Sequence, residues 1–251
     1  ASVAGLTAAA AASGLACSGE LDLFSQALAD LKAAQGYTPQ VIGVTGTNGK
    51  TTVTSLAGQL VQAAGRSVAV AGNIGPTMLD TLADKLDAQR DAGALPEVWV
   101  LELSSFQLDA SSRFEPSVAT ILNVTQDHLD WHGTLPAYAA AKSRIFGSGL
   151  MLLNRQDPLV MAALPPLVKG KQLRNHITFG ADKPARPGDY GIETVNGMAW
   201  LVRATEADET IKRRRDEDLV LYIQRLMPVD ALRIRGRHNA TNALVALALA
   251  T

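Results

Sequence analysis

Residues 43–56 read GVTGTNGKTTVTSL, an apolar run that passes through a glycine-bearing turn into a helical pattern. The turn itself is Gly46-Thr47-Asn48-Gly49-Lys50-Thr51-Thr52. Glycines allow successive backbone N–H groups to face one anion, and the N-terminus of the following helix adds partial positive charge. Lys50 can then reach the terminal phosphates of a nucleotide, and the Thr51 hydroxyl can ligate Mg²⁺. The spacing departs from the usual G-x-x-x-x-G-K-[ST], because position 44 is Val. Nucleotide binding is the expected chemistry.

A bound nucleotide triphosphate needs a metal, and the metal needs acids at neighbouring strand ends. Glu102 closes the apolar run in VWVLELSSFQLD and is followed by Ser104 and Ser105. It reads either as a partly exposed strand-end carboxylate or as a ligand at the sheet's carboxyl end, where α/β proteins bind their substrates. Asn123 opens NVTQDHLDWHG, which crowds Asp127, His128, Asp130 and His132 into one loop. Such a loop is a metal and substrate site or a capped, solvated turn. Lys142 shares a helical face with the apolar Tyr138, Ala141 and Ile145. Either its stem snorkels to solvent, or its amine points into the site, where it is uncharged or covalently altered.

The elements that must hold these residues follow from periodicity. Strands are expected at Val41–Thr45, Ser67–Ala71, Val98–Leu103, Val118–Asn123, Leu150–Asn154 and His176–Phe179, alternating with helical patterns. That alternation predicts a mostly parallel sheet flanked by helices, an α/β fold like that of P-loop NTPases. Val53, Leu56, Ala57, Leu60 and Val61 stripe one helix that stops at Gly65; others are expected over Thr77–Asp87 and from Pro136 to Phe146. After Gly180 the pattern changes. Asn196-Gly197 between two strand-like runs signals a tight hairpin, and LVLYIQRL and VDALRIRG read as further strands of a small antiparallel sheet near the C-terminal part. The charged stretch at 206–218 reads as a solvated loop or insertion at the sheet edge, since acids flank Lys212–Arg215 on both sides.

With 47% hydrophobic residues and a net charge of -1, nothing points to a nucleic-acid or membrane partner. Every apolar run falls short of the roughly 18 residues of a membrane span. Cys17 is the only cysteine, so no internal disulfide can form and a cytoplasmic setting is expected. The alanine-rich start lacks a basic leading region and reads as a helix rather than a signal peptide. The chain begins without Met and stops inside an apolar helical pattern, so an excised piece is expected, with a boundary near Gly36-Tyr37.

Taken together these residues resemble the Mur ligase family of ATP-dependent amino-acid ligases. The resemblance covers nearly the whole chain: GVTGTNGKTT, GNIG at 72–75, LELSSFQL at 101–108, NVTQDHLDWHG at 123–133, AAKSRIF at 140–146 and GRHNATNALVALALA from Gly236. The GNIG and SSFQ runs are most similar to the D-glutamate-adding branch. The resemblance implies that Gly46, Thr47, Asn48, Gly49, Lys50, Thr51 and Thr52 hold ATP, and that Asn239 and Asn242 contact the adenine. It implies two Mg²⁺ sites drawing on Thr51, Glu102, His128 and a CO₂-derived carbamate on Lys142. Asn73, Ser104 and His128 would face the substrate, UDP-N-acetylmuramoyl-L-alanine, with glutamate as the second substrate and a monomer as the working form. Lys50, Glu102, His128 and Lys142 would carry the catalysis. Residues 1–36 would end a UDP-binding domain and 37–251 would form the central ATP-binding domain, the family's C-terminal domain lying outside the sequence. A chain of that kind is not expected to form amides alone.

Overall fold

The computed structural model describes residues 3–15, 17–90, 93–206 and 220–251. Among the described residues nine strands form one sheet: β1 Gln40–Thr45, β2 Val68–Gly72, β3 Val98–Glu102, β4 Val118–Ile121, β5 Leu150–Asn154, β6 His176–Phe179, β7 Tyr190–Val195, β8 Met198–Glu206 and β9 Leu221–Pro228. Their spatial order is β2-β3-β1-β4-β5-β6-β7-β8-β9. The ladders are parallel from β2 across to β7, and the last two are antiparallel. The helices are α1 Val3–Ala12, α2 Glu20–Gln35, α3 Lys50–Ala63, α4 Met78–Arg90, α5 Ser105–Asp109, α6 Leu129–His132, α7 Leu135–Ser143, α8 Pro158–Met161 and α9 Arg237–Leu249.

Strand alternation splits the core into two layers. Trp99 and Leu101 of β3 join Phe24, Ile121, Tyr138 and Ile145 on one face of the sheet. Val98 and Val100 of the same strand join Val53, Ala57, Val61, Leu244 and Val245 on the other. Helices on both faces are what a parallel sheet of fully buried strands requires. Phe24 of α2 meets Trp99 edge-on at 5.0 Å, and the Trp99 indole donates to the Tyr37 hydroxyl at 2.9 Å. α2 therefore shares the sheet's core up to its C-cap, Gly36, in a left-handed conformation.

The expected strands form within one or two residues of the predicted bounds; the three expected helices also form, α4 running three residues past Asp87 and α7 ending at Ser143, where a 3₁₀ turn continues over Arg144–Phe146. The hairpin forms with Asn196 and Gly197 both at positive φ. Its strands and β9 continue the main sheet edge-on. VDALRIRG is a correction: no strand forms there, only a single 3₁₀ turn at Val229–Ala231. Leu232 and Ile234 do alternate with the exposed Arg233 and Arg235. They use that alternation to pack against the α9 layer rather than to join a ladder. Beyond Glu206, the charged stretch lies outside the described residues.

The chain leaves β1 toward β2 on one side, while β3 leads back across to β4 on the other. The order thus reverses beside β1, and the crevice at the carboxyl ends of β1, β3 and β4 is where such sheets bind ligands.

Candidate active site

The loop after β1 turns into α3 at Gly49, whose φ is 87°. A side chain there would be strained, and its Cβ would lie 2.9 Å from Asn242 Oδ1. Asn123, at the end of β4, holds the loop from the other side. Its carbonyl accepts from the Thr47 N–H at 3.0 Å, its Oδ1 accepts from the Asn48 N–H at 2.9 Å, and its amide donates to the Asn48 carbonyl at 3.1 Å. The Thr125 N–H adds a bond to Thr47 Oγ1 at 3.0 Å. Lys50 folds over the turn, donating to the carbonyls of Gly46 and Thr47 at 3.0 and 3.1 Å. On the far side Asn239 donates to the Arg235 carbonyl at 2.8 Å, and Asn242 donates to Asn239 Oδ1 at 3.4 Å. Both asparagines therefore stand on the first turns of α9, with Asn242 against the loop. Asn123 is the positioning residue that sequence reasoning passed over. Its signal was an amide side chain placed where a strand at the switch point ends.

Glu102 is 3% exposed and pairs in register with Val44, one residue before the loop strand ends. Asn73 binds it twice, backbone N–H to the Glu102 carbonyl at 2.8 Å and amide to Oε1 at 3.3 Å. Gly72 allows this approach, since a Cβ there would sit 2.2 Å from the Glu102 carbonyl oxygen. Among the described residues no Lys, Arg or His forms an ion pair with this buried carboxylate. Ser104 caps α5 in a reciprocal box with Gln107, so its hydroxyl has a structural task. A cavity of about 400 Å³ runs from Glu102 and Thr51 along α3 toward Gln62. A larger one, about 470 Å³, is lined by Ser111, Arg144 and Arg174 among others and by none of the residues above.

His128 stands at the N-cap of α6 with φ 50° and ψ 32°, a left-handed conformation uncommon for a side-chain-bearing residue. Asp127 accepts from its backbone N–H at 2.9 Å and lies 3.5 Å from its Nε2. The imidazole packs on Phe106, with ring centres 4.9 Å apart.

Lys142 resolves in favour of the inward alternative. It is 1% exposed, donates to the Gly46 carbonyl at 3.1 Å and to Thr45 Oγ1 at 3.4 Å, and lies 4.4 Å from the Tyr138 ring centre. Burial and then the nearby Lys50 charge bring its pKa down from 10.5 to about 7, with Asp127 opposing them. Burial beside this loop thus disfavours the charged form of the amine.

Strand, glycine-bearing loop, helix and a buried carboxylate at the sheet's carboxyl end give the chain a P-loop-like α/β fold. Comparison narrows the class: residues 44–250 match the model of the Mur ligase middle domain, and the chain belongs to the Mur ligase family. It is 67% identical over 242 residues to the UDP-N-acetylmuramoylalanine--D-glutamate ligase of Albidiferax ferrireducens, covering 94% of this chain and 47% of that relative. It is 55% identical to the ligase of the same name from Burkholderia thailandensis, covering 99% and 50%. The chain thus spans about half the length of these relatives. In fold it is similar to a UDP-N-acetylmuramoyl-L-alanyl-D-glutamate--2,6-diaminopimelate ligase (TM-score 0.64, 23% identity, 92% and 47% covered). It is also similar to the MurF ligase of Thermotoga maritima in complex with ADP (TM-score 0.55, 20% identity, 93% and 48% covered).

Proposed function

We propose that this chain is the ATP-binding part of a cytoplasmic, monomeric ligase that joins D-glutamate to UDP-N-acetylmuramoyl-L-alanine for peptidoglycan synthesis. In this reading residues 37–251 form its middle domain and residues 1–36 lead out of a preceding UDP-binding domain, with α2 packed onto the middle domain's sheet. The names and identities of the relatives support the substrate assignment. The observation that carries the chemistry is Lys142, a buried amine held against the phosphate loop with its charged form disfavoured.

The described residues contain no group of three or more His, Cys, Asp or Glu able to hold a metal unaided. Glu102 and Thr51 are hard oxygen donors on one cavity, which suits Mg²⁺, an ion that usually takes one or two protein oxygens and completes its shell from substrate phosphates and water. Glu102 and Thr51 would hold one Mg²⁺, and His128 with carbamylated Lys142 a second. When bound, the ions supply charge neutralisation between the reacting anions. Carbamylation is balanced as amine plus CO₂ giving a carbamate and one released proton, and it needs the neutral amine that this burial favours.

The loop N–H groups and Lys50 would bind the ATP phosphates, with Asn123 keeping the turn in shape. Asn239 and Asn242 would contact the adenine, and Asn73, Ser104 and His128 the muramoyl substrate. The substrate's alanine carboxylate then displaces ADP at the γ-phosphorus, forming an acyl phosphate. The amine of D-glutamate attacks the acyl carbon, the phosphate leaves, and the amine's proton passes to solvent or a nearby base. Lys50 offsets the charge that gathers as carboxylate and triphosphate approach. Acyl phosphates hydrolyse readily, so water must be kept out while the amine arrives. In this reading the flanking parts of the full-length protein provide that closure, and this chain alone forms no amide.

The test is ADP release by the full-length protein with ATP, Mg²⁺, UDP-N-acetylmuramoyl-L-alanine and a panel of amino acids. Release that requires D-glutamate is expected. Release indifferent to any amino acid would instead indicate a kinase or NTPase, and a requirement for L-glutamate on a folate acceptor would indicate a folylpolyglutamate-type ligase.

A further inference from the structure

α6 is a single helical turn that buries none of its four residues. An isolated turn of that length has no stability of its own, and here it must also hold His128 in a left-handed conformation at its start. Strained backbone persists only where its surroundings over-determine it. Among the described residues, two side-chain hydrogen bonds tie this turn to other segments. One is an exposed 3.4 Å bond from the Trp131 indole to Asp109. The other joins His132 Nε2 to Ser105 Oγ at 3.0 Å, and Ser105 is 2% exposed. The His132 ring lies nearly parallel to Phe106 at 5.8 Å and 5.3 Å from the Tyr138 ring. Phe106 is the ring His128 packs on, and Tyr138 is the ring beneath the Lys142 amine.

We propose that His132 is a positioning residue: its bond to Ser105 fastens the His128 turn to the helix that follows Glu102, and its ring, wedged between Phe106 and Tyr138, fixes the distance from His128 to Lys142. The three groups expected to surround the reacting phosphate and carboxylate come from three different segments, β3, the loop after β4, and α7. The His132–Ser105 contact ties the second to α5, which follows β3 directly, and the His132–Tyr138 contact bridges the last two. The proposal rests on the role given to His128 above.

The experiment is a double-mutant cycle of His132→Ala and Ser105→Ala in the full-length protein. It is scored by kcat and KM for the muramoyl substrate, alongside His132→Gln and His128→Ala. His132→Ala should lower kcat/KM by about 10- to 100-fold, the range seen when partners that orient a site histidine are removed. Ser105→Ala should lower it similarly, the double variant should be no worse than either single, and His132→Gln, which can still reach Ser105, should recover most of the loss. The Tm of each variant separates lost folded protein from lost catalysis. A His132→Ala enzyme within about twofold of wild type, or strictly additive losses, would overturn the proposal while His128→Ala still abolished turnover. If His128→Ala itself left ADP release unchanged, the role given to His128 would fail instead.

Discussion

Two buried charged side chains stand on helices that pack against the same sheet, and the protein treats them in opposite ways. Asp22, in the first turn of α2, is 8% exposed. It accepts hydrogen bonds from Ser111 Oγ at 2.7 Å and from the Ser112 and Arg113 N–H groups at 3.1 and 3.2 Å. Burial pushes its carboxyl pKa up, but these bonds and the Arg113 charge outweigh it, so the group lies below the usual range. Lys142, at the carboxyl ends, meets two oxygens and a second cation, and its charged form is disfavoured. A charge kept for structure is satisfied until it stays a charge. A charge kept for chemistry is left short of partners, so that its protonation state can change.

That contrast can be broken from either end. The largest effect should come from Lys50→Ala, which removes the cation on the phosphate loop. ADP formation by the full-length protein should fall about 100- to 1,000-fold, measured by coupled assay. Lys142→Ala should lower turnover by about 100-fold, and added short-chain carboxylic acids should restore part of it by occupying the place of the proposed carbamate. Lack of rescue would leave Lys142 as a plain amine in the mechanism. Asn123→Ala removes two bonds that its amide side chain makes to the loop, each worth about 1 kcal/mol. Nucleotide affinity measured by calorimetry should weaken by roughly tenfold or more. Asp22→Ala leaves three donors behind, so unfolding by denaturant should show a loss of about 1–3 kcal/mol. Its activity per folded molecule should be unchanged.

The contrast extends to pH dependence, where the two groups should differ in position. Asp22 has a folded-state pKa below its unfolded value, so its stabilisation is present at neutral pH and is lost as pH falls through the folded value. Lys142 has a folded value near 7 against 10.5 when unfolded. Between those values the unfolded chain binds the extra proton, and stability should rise with pH across that window. Lys142→Met should flatten the rise above pH 7 and leave the acid limb intact. Urea titrations at a series of pH values check both.

Much of the site was legible in the sequence because its parts are local. A glycine turn between strand and helix announces a phosphate loop, and an acid ending an apolar run announces a strand-end carboxylate. Lys142 announced itself by standing on an apolar face, although periodicity could not say which way its amine pointed. That depended on Tyr138 and the Gly46 carbonyl, brought together from positions about a hundred residues apart. Asn123 and His132 were visible only as polar residues in a crowded loop, since their tasks exist through contacts to Asn48 and Ser105. In the fold, the parallel strands were readable from buried β-branched runs. The segment from Val229 to Gly236 was not, because its alternation is the same whether it pairs in a ladder or lies against a helix.

The central claim is that Lys142 is held as a reactive neutral amine beside the phosphate loop. The direct measurement is ¹³C NMR of the protein with ¹³C-bicarbonate and Mg²⁺ at pH 7.5, compared with Lys142→Met. The account predicts a protein-bound carbamate resonance in the wild type that is absent from the variant. An identical pair of spectra, with the Lys142 side chain titrating near its ordinary 10.5, would contradict it.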